Sequence, residues 1–199
     1  MRFIALDFET SGLKPSEHAP VTLGVALMDG DAVVDSREWL FAPPMRDGKI
    51  TREYSVNALE ISGVSWTKIK KEGQKHSDVC RELLAWVREH QAQDLTVVAF
   101  NAPFDLAWYS DLLFLGGSWN QAERVFQTFL PPLVGPWQCA RLMACADPRI
   151  QIPRYDLDGV AAHFGLSRDT SKHGALEDAI LAGKIYARLT QGAVMAGAA

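Results

Sequence analysis

Three apolar runs of strand length at the start of the chain constrain its fold more than any other feature. They occupy residues 2–8, 21–28 and 32–41. The first run ends at a loop that contains Gly12 and Pro15. Asp29-Gly30 separates the second run from the third, and an Asp-Gly pair in this position is typical of a tight hairpin turn. The sequence therefore predicts a three-stranded antiparallel meander.

The rest of the chain predicts one further strand and a series of helices. Residues 95–100 are continuously apolar, as in a central strand that is covered on both faces. Helices are predicted at residues 54–61, 77–91 with Ser77 as N-cap, 104–115, 119–126, 137–146, 157–164 and 174–189. Together these elements predict an α/β fold, in which a mixed β-sheet combines the meander with parallel strands and carries helices on both faces.

Size and composition fit one globular domain. The chain has 199 residues, of which 48% are hydrophobic, so it can bury a core without disulfides or metals. We expect a single domain over residues 1–190 and a frayed tail over residues 191–199, where small residues dominate. The three cysteines form no Cys-x-x-Cys pair, which argues against a disulfide framework and a thiolate zinc site.

Charge and hydropathy argue against other classes of protein. The formal net charge of -4 disfavours a generic basic nucleic-acid binder, so nucleic-acid binding would require local positive charge. No apolar run approaches the ~18 residues of a membrane span. Asp7 and Glu9 interrupt the first run before a signal-peptide core can develop. We therefore expect a soluble, cytoplasmic protein with no membrane partner.

Three carboxylates lie where predicted strands end or a helix begins. Asp7 and Glu9 share one face of the first strand, because side chains alternate along a strand. Like charges ~6 to 7 Å apart repel, and their burial requires a counter-charge or a raised pKa. Asp105 follows the strand at residues 95–100, which is where ligands bind in open α/β sheets. Two structural roles remain open: solvated strand-end acids for the pair, and a helix N-terminal acid for Asp105.

Asp178 is the most informative acidic residue. Its neighbours one turn away on the predicted helix are small or apolar: Gly174, Ala175, Leu181 and Ala182. We therefore expect Asp178 to point inward, whereas Glu177, about 100° around the helix, faces solvent. No Lys or Arg occupies the neighbouring turns, so a metal ion is expected to balance Asp178. His173 precedes this helix, and either it faces the same site or it is a surface histidine.

The donor types predict the metal. Clustered carboxylates with a nearby histidine and no cysteine suit hard, oxygen-ligated Mg²⁺ or Mn²⁺. Two divalent ions would balance a combined charge of about -4, and two ions ~3.5 to 4 Å apart promote attack of water on phosphodiesters. The pattern predicts a phosphodiester hydrolase in which a loop histidine is the natural general base.

Three acidic motifs occur in order along nearly the whole chain. They are ALDFETSGL at residues 5–13, NAPFD at residues 101–105 and HGALEDA at residues 173–179. Each motif alone is weak or moderate, but the ordered set of D-x-E, N-x-x-F-D and H-x-A-x-x-D is highly specific. In this set the chain resembles the DEDDh branch of the DEDD 3′-to-5′ exonuclease superfamily, close to its proofreading-subunit and RNase T-like members. The histidine before Asp178, in place of a tyrosine, selects that branch.

The resemblance implies an RNase H-like fold with two bound Mg²⁺ or Mn²⁺ ions. The metal ligands that it implies are Asp7, Glu9, Asp105 and Asp178. It also implies that His173 deprotonates the attacking water. The residues that it assigns to the terminal nucleotide of the substrate are Phe8, Thr10, Leu13, Asn101 and Phe104.

The activity that the resemblance implies is removal of nucleoside 5′-monophosphates from the 3′ ends of single-stranded DNA or RNA. The implied partners are nucleic-acid 3′ ends, together with a polymerase or a second copy of the chain. The alternative is a non-catalytic module of the same fold that binds a polymerase or a nucleic-acid end. Trp108, one turn beyond Asp105, either stacks on a base or packs in the core.

Overall fold

The strands at the start of the chain form the predicted antiparallel meander. The computed structural model describes residues 1–120, 125–168 and 174–196. Its strands are β1 (Arg2–Thr10), β2 (Pro20–Asp29), β3 (Ala32–Leu40), β4 (Met45–Arg46), β5 (Lys49–Ile50), β6 (Val97–Ala99), β7 (Ser118–Asn120), β8 (Val125–Gln127) and β9 (Trp137–Cys139). Strand β2 pairs antiparallel with both β1 and β3. Gly30 lies in the turn between β2 and β3 with a φ of 60°, which glycine adopts without a Cβ clash.

Two short parallel strands extend the meander into a mixed sheet of five strands. The strand order is β3-β2-β1-β6-β9, and β6 runs parallel to both β1 and β9. Strands β4 and β5 form a separate hairpin, as do β7 and β8. The predicted sheet of mixed direction is confirmed, and the carboxyl ends of β1 and β6 lie side by side in it.

Helices cover both faces of the sheet, as predicted. They are α1 (Val56–Ser62), α2 (Trp66–Glu72), α3 (His76–Glu89), α4 (Ala102–Leu115), α5 (Ala140–Ala146), α6 (Leu157–His163) and α7 (Ala175–Ala196). On one face, α3 and α4 contribute to the hydrophobic core that contains Ile4 and Leu6 of β1. On the other face, α5, α6 and α7 form a second core with Phe3 and Ala5. Strand β1 is therefore buried between two layers, and its side chains enter them alternately.

Two helix predictions are wrong over part or all of their length. In the described part of residues 119–126, the chain forms the β7–β8 hairpin, in which Trp119 pairs with Phe126. Residues 137–139 form β9, which pairs with β6 before α5 begins. Short apolar stretches fit the helical and the strand period equally well. Pairing with another segment of the chain decides between the two, and periodicity does not report it.

Two helix starts also differ from the predictions. Helix α2 is not predicted from the sequence, although Ser65 caps it by accepting a hydrogen bond from the Lys68 backbone N–H at 3.2 Å. Helix α3 has Lys75 at its N-cap, where Ser77 is expected, and Lys75 makes no side-chain capping bond. Packing of the apolar face of α3 decides its start, since a hydroxyl cap contributes only about 1 kcal/mol.

The last helix extends further than expected. Helix α7 ends at Ala196 and not near residue 189, because one internal glycine, Gly192, costs a helix only about 1 kcal/mol. The single domain over residues 1–190 and the frayed tail over residues 191–199 stay predictions. In the described part of the chain, no helix is long and apolar enough to cross a membrane.

Candidate active site

The carboxyl end of β1 presents two carboxylates on the side of the sheet that α7 covers. Asp7 and Glu9 continue the face of β1 that carries Phe3 and Ala5, as the strand alternation predicts. The pairing register between β1 and β2 shifts between Glu9 and Thr10. Irregularities of this kind reorient side chains and are common beside binding sites.

A close approach between β2 and α7 brings Asp178 to this pair. Gly24 is the register partner of Asp7, and a Cβ at Gly24 would lie 2.3 Å from backbone atoms of Ala175 and Leu176. The start of α7 can lie this close to the sheet only because Gly24 has no side chain. One oxygen each from Asp7, Glu9 and Asp178 lie within 4.8 Å of one another. We call these three residues the acidic cluster.

Asp105 adds a fourth carboxylate from the first turn of α4. Its Oδ1 accepts a hydrogen bond from the Phe8 backbone N–H at 3.2 Å, which ties α4 to β1. The side chain is buried, with 2% exposed. Asp105 lies outside the three-oxygen acidic cluster, but it lines the same cavity as Asp7 and Asp178. The structure therefore brings the four predicted carboxylates to one end of the sheet.

Burial and mutual repulsion raise the pKa values of Asp7, Glu9 and Asp105. Burial raises the pKa of Asp7 well above its ordinary value, and the charges of Asp105, Asp178 and Glu9 raise it further. Burial, followed by the charge of Asp178, raises the pKa of Glu9 to about 7. Burial also raises the pKa of Asp105 to about 7, against the lowering effect of the Phe8 hydrogen bond. A group of acids with pKa values this high requires added positive charge to ionise fully at neutral pH.

Positive charge within the site comes from Arg168. Its Nη1 lies 3.2 Å from Asp178 Oδ1, and its Nε donates to Asp158 Oδ1 at 2.8 Å. Arg168 also lowers the pKa of Asp7 and of Glu9. This ion pair is not predicted from the sequence. The helical turns around Asp178 contain no arginine, but Arg168 reaches it from the segment between α6 and α7, which helical periodicity does not describe.

A cavity of about 680 Å³ lies beside the carboxylates. Of the residues assigned to the terminal nucleotide, Phe8, Asn101 and Phe104 line it. Thr10 and Leu13 are not among its lining residues in the described part of the chain: the Thr10 hydroxyl donates to the Gly12 carbonyl at 2.6 Å, and Leu13 is 80% exposed. The predicted base, His173, lies outside the described residues.

Three further side chains complete the comparison with the sequence predictions. Trp108 is fully buried in the core, so the base-stacking alternative is wrong. Glu177 is half-buried, not fully exposed. Glu38 was not singled out from the sequence, yet it accepts a hydrogen bond from the Leu176 backbone N–H at 3.2 Å and its charge raises the pKa of Glu9. Glu38 lies near the site because it pairs with Gly24 across β2 and β3, and only the sheet register shows this pairing.

The donor set of the acidic cluster and Asp105 fits a hard divalent cation. All four side chains offer carboxylate oxygens, and three of these oxygens are already grouped within 4.8 Å. Oxygen donors of this kind suit Mg²⁺ or Mn²⁺ and not a soft metal. The raised pKa values of Glu9 and Asp105 are those expected where a cation completes the balance of charge.

We expect the metal-free protein to lose stability as the pH rises from about 6.5 to about 8. An acid whose pKa is higher in the folded state stabilises the fold at low pH, and this contribution is lost as the pH rises through the folded pKa; for Glu9 and Asp105 that value is about 7. Burial lowers the pKa of His76 to about 4, so this residue reduces stability as the pH falls. This opposite effect lies below the pH window from about 6.5 to about 8.

Melting temperatures in EDTA across this pH window measure the effect. The double variant Glu9→Gln/Asp105→Asn should show a flatter profile than the wild type, because neither replacement titrates. A wild-type profile that is already flat, or an equal slope in the two proteins, would contradict the role of these two carboxylates.

Sequence relatives of the chain include two kinds of DNA polymerase III component. The PolC-type DNA polymerase III of Thermotoga maritima is 25% identical over 192 residues, which are 95% of this chain but 12% of that polymerase. The DNA polymerase III epsilon subunit of Rickettsia typhi is 26% identical over 194 residues, which cover 96% of this chain and 75% of the subunit. No protein-family model matches the chain.

The fold is shared with a solved nuclease domain. The nuclease domain of 3'hExo, a DEDDh family member bound to rAMP, superposes with a TM-score of 0.74 at 15% sequence identity, over 96% of this chain and 92% of that one. This match establishes the RNase H-like exonuclease fold. The relatives align with almost the whole chain, and its ordered acidic motifs converge on one site. The chain is therefore similar in sequence to components of DNA polymerase III and shares its fold with the nuclease domain of a DEDDh exonuclease.

Proposed function

We propose that the protein is a metal-dependent 3′-to-5′ exonuclease that releases nucleoside 5′-monophosphates from single-stranded DNA or RNA. The observation that carries this proposal is the acidic cluster, in which Asp7 and Glu9 of β1 meet Asp178 of α7 within 4.8 Å. The cluster adjoins a cavity that Asp105 also lines and that has room for part of a polymer. A module that only binds nucleic acid has no need for such concentrated negative charge, and the family consists of hydrolases.

The proposed cofactor is a pair of Mg²⁺ or Mn²⁺ ions, held by Asp7, Glu9, Asp105 and Asp178. When bound, two such ions supply Lewis-acid stabilisation of the negative charge that develops on the phosphate and on the leaving oxygen. Asp105 is positioned for this task by its hydrogen bond from Phe8, and Asp178 by the close packing of α7 on Gly24. In this proposal the chain itself supplies the general base, His173.

The residues assigned to the substrate divide into two groups. Phe8, Asn101 and Phe104 would enclose the terminal nucleotide, since they line the cavity beside the carboxylates. Thr10, at the end of β1, and Leu13, in the loop that follows, would also contact it, and the exposed Leu13 side chain is available to pack beside a base. The rAMP in the 3'hExo nuclease domain supports a nucleotide as the occupant.

A polymerase or a second copy of the chain is the proposed protein partner. The relatives named as polymerase III components support the first of these. Co-purification with a polymerase subunit, compared with the mass of the isolated chain by light scattering, tests the two possibilities directly.

We expect cleavage to require a free 3′ hydroxyl. An oligonucleotide with a 3′ phosphate should be a poor substrate, because its terminal charge would enter a site already rich in carboxylates. Circular single strands should resist cleavage altogether. The measurement is the product ladder of 5′-labelled DNA and RNA strands with Mn²⁺, and a matched linear strand of the same sequence is the control. Rapid cutting of circles would show endonuclease activity and exclude the proposed function.

We expect His173→Ala to reduce kcat by about 10²- to 10⁴-fold, the usual contribution of a general base. Its affinity for Mn²⁺ should be unchanged, because His173 is not a proposed ligand. Measurement of kcat against pH should show that the rising limb of the wild-type profile is absent from the variant. An unchanged pH profile, or loss of Mn²⁺ binding, would assign His173 a different role.

A further inference from the structure

Two arginines to which no function has been assigned line the same cavity as the carboxylates. The cavity that contains Asp7, Asp105 and Asp178 is also lined by Arg141 and Arg154. Arg141 lies in the first turn of α5, and Arg154 precedes α6. Both side chains are exposed. The cavity lining therefore combines carboxylates, among them Asp156 and Asp158, with guanidinium groups that are exposed to solvent.

Arg141 has no structural role that would account for its position. It forms no ion pair with any residue that the structure describes. A positive charge in the first turn of a helix is also opposed by the helix dipole. Its guanidinium group is therefore available to a ligand in the cavity that it lines.

Arg154 can exchange its present ion-pair partner, Asp156, for a ligand. It pairs with Asp156, but its side chain is 81% exposed and that of Asp156 is 41% exposed. Pairs this exposed contribute little to stability and are easily replaced. A phosphate oxygen can replace the Asp156 carboxylate, because guanidinium groups bind both anions through the same paired N–H donors.

We propose that Arg141 and Arg154 bind backbone phosphates of the substrate strand upstream of the scissile bond. This inference rests on the proposed function, in which the scissile phosphate lies at the carboxylates. Neither arginine forms an ion pair with the four carboxylates in the described part of the chain, whereas Arg168 contacts Asp178 directly. The proposed metal ligands therefore do not engage the two arginines, which are available to phosphates of the strand.

Arg141 and Arg154 also supply local positive charge, which an acidic chain needs in order to bind nucleic acid. The chain carries a formal net charge of -4, and a phosphate backbone is repelled by such a surface unless positive side chains are placed along its path. Two arginines beside the acidic cluster would hold the strand while its terminal phosphate approaches the carboxylates.

The variants Arg141→Gln and Arg154→Gln test the inference, with Arg88→Gln as the matched control. Arg88 is an exposed arginine of α3, on the other face of the sheet, and forms no ion pair with the described residues. We expect each cavity variant to raise KM for a single-stranded oligonucleotide by about 3- to 10-fold with little change in kcat. The slope of log Kd against log salt should fall by about 0.7 for each arginine removed.

A substrate without upstream phosphates shows whether the two arginines contact upstream phosphates or the scissile phosphate. On the p-nitrophenyl ester of a nucleoside 5′-monophosphate, both cavity variants should retain wild-type kcat/KM. Equal loss on the ester and the oligonucleotide would place the arginines at the scissile phosphate and overturn the inference. A KM and salt slope equal to those of Arg88→Gln would overturn it as well. If the wild type trims no strand with Mn²⁺, the proposed function itself fails, which is a separate result.

Discussion

Asp178→Asn should reduce exonuclease activity by more than about 100-fold, because even outer-shell partners of a metal site cost 10- to 100-fold when they are removed. Asp178 is buried, and its carboxylate lies within 4.8 Å of oxygens from Asp7 and Glu9. The substitution retains the size of the side chain and removes one of the charges that would hold a cation. Trimming of a labelled oligonucleotide at saturating Mn²⁺ measures the loss.

The same variant should respond weakly to metal in a melting experiment. A cation at ~100 times its dissociation constant stabilises a protein by about 2.7 kcal/mol, or roughly 5 to 10 °C in Tm for a domain of this size. We expect this rise in the wild type and only a small part of it in Asp178→Asn. An equal rise in both proteins would show that Asp178 is not a ligand.

Glu177→Gln is the matched control, because it removes a carboxylate from the adjacent position of the same helix. Glu177 is half-buried and is not part of the acidic cluster. The variant should keep both its activity and its rise in Tm with Mn²⁺. If it were as damaging as Asp178→Asn, the assignment of the inward face of α7 would be wrong.

Arg168→Gln should destabilise the metal-free protein strongly. The Arg168 and Asp178 side chains are only 11% and 7% exposed, and their N···O distance is 3.2 Å. Removing one partner of a buried pair leaves an uncompensated charge, which costs about 3 to 5 kcal/mol or about 6 to 20 °C in Tm. Mn²⁺ should narrow the difference from the wild type, because it supplies the missing positive charge.

Arg188→Gln is the control, because it removes an arginine from an exposed ion pair and not from a buried one. Arg188 pairs with Asp31 at 3.0 Å, but the two side chains are 44% and 49% exposed. An exposed pair contributes at most about 1 kcal/mol, so Tm should change by less than about 4 °C, with or without Mn²⁺. Melting curves of the two variants in EDTA and in Mn²⁺ make the comparison. A loss in Arg168→Gln that metal leaves unchanged would mean that Arg168 serves only the fold.

Local sequence patterns correctly predicted the elements that depend mainly on residues close by in the chain. The Asp29-Gly30 turn and the two strands that flank it depend on neighbouring residues, and they were located correctly. The helices that carry Asp105 and Asp178 were also found, because each is a long segment rich in apolar residues. The β7–β8 hairpin and β9 were missed for the opposite reason. Their short segments become strands only by pairing with other strands.

The residues of the candidate site also divide into those that the sequence indicated and those that only the structure revealed. The sequence indicated which carboxylates to consider, because Asp7, Glu9, Asp105 and Asp178 stand at strand ends and on an apolar helix face, where an acid is costly without a partner. It did not indicate Arg168 or Glu38, whose relation to these residues depends on how loops and strands meet. The raised pKa values of Glu9 and Asp105 likewise depend on burial that only packing creates.

The sequence by itself determined the fold class and indicated the four carboxylates to consider, because periodicity and ordered motifs are properties of the linear chain. The tertiary structure decided how the charges are arranged. Gly24 allows α7 to approach the sheet, Arg168 balances Asp178, and Arg141 and Arg154 line the same cavity as the carboxylates. Electrostatic energy depends on distance and burial, and residues far apart in the chain acquire both only when the sheet and its helices pack together.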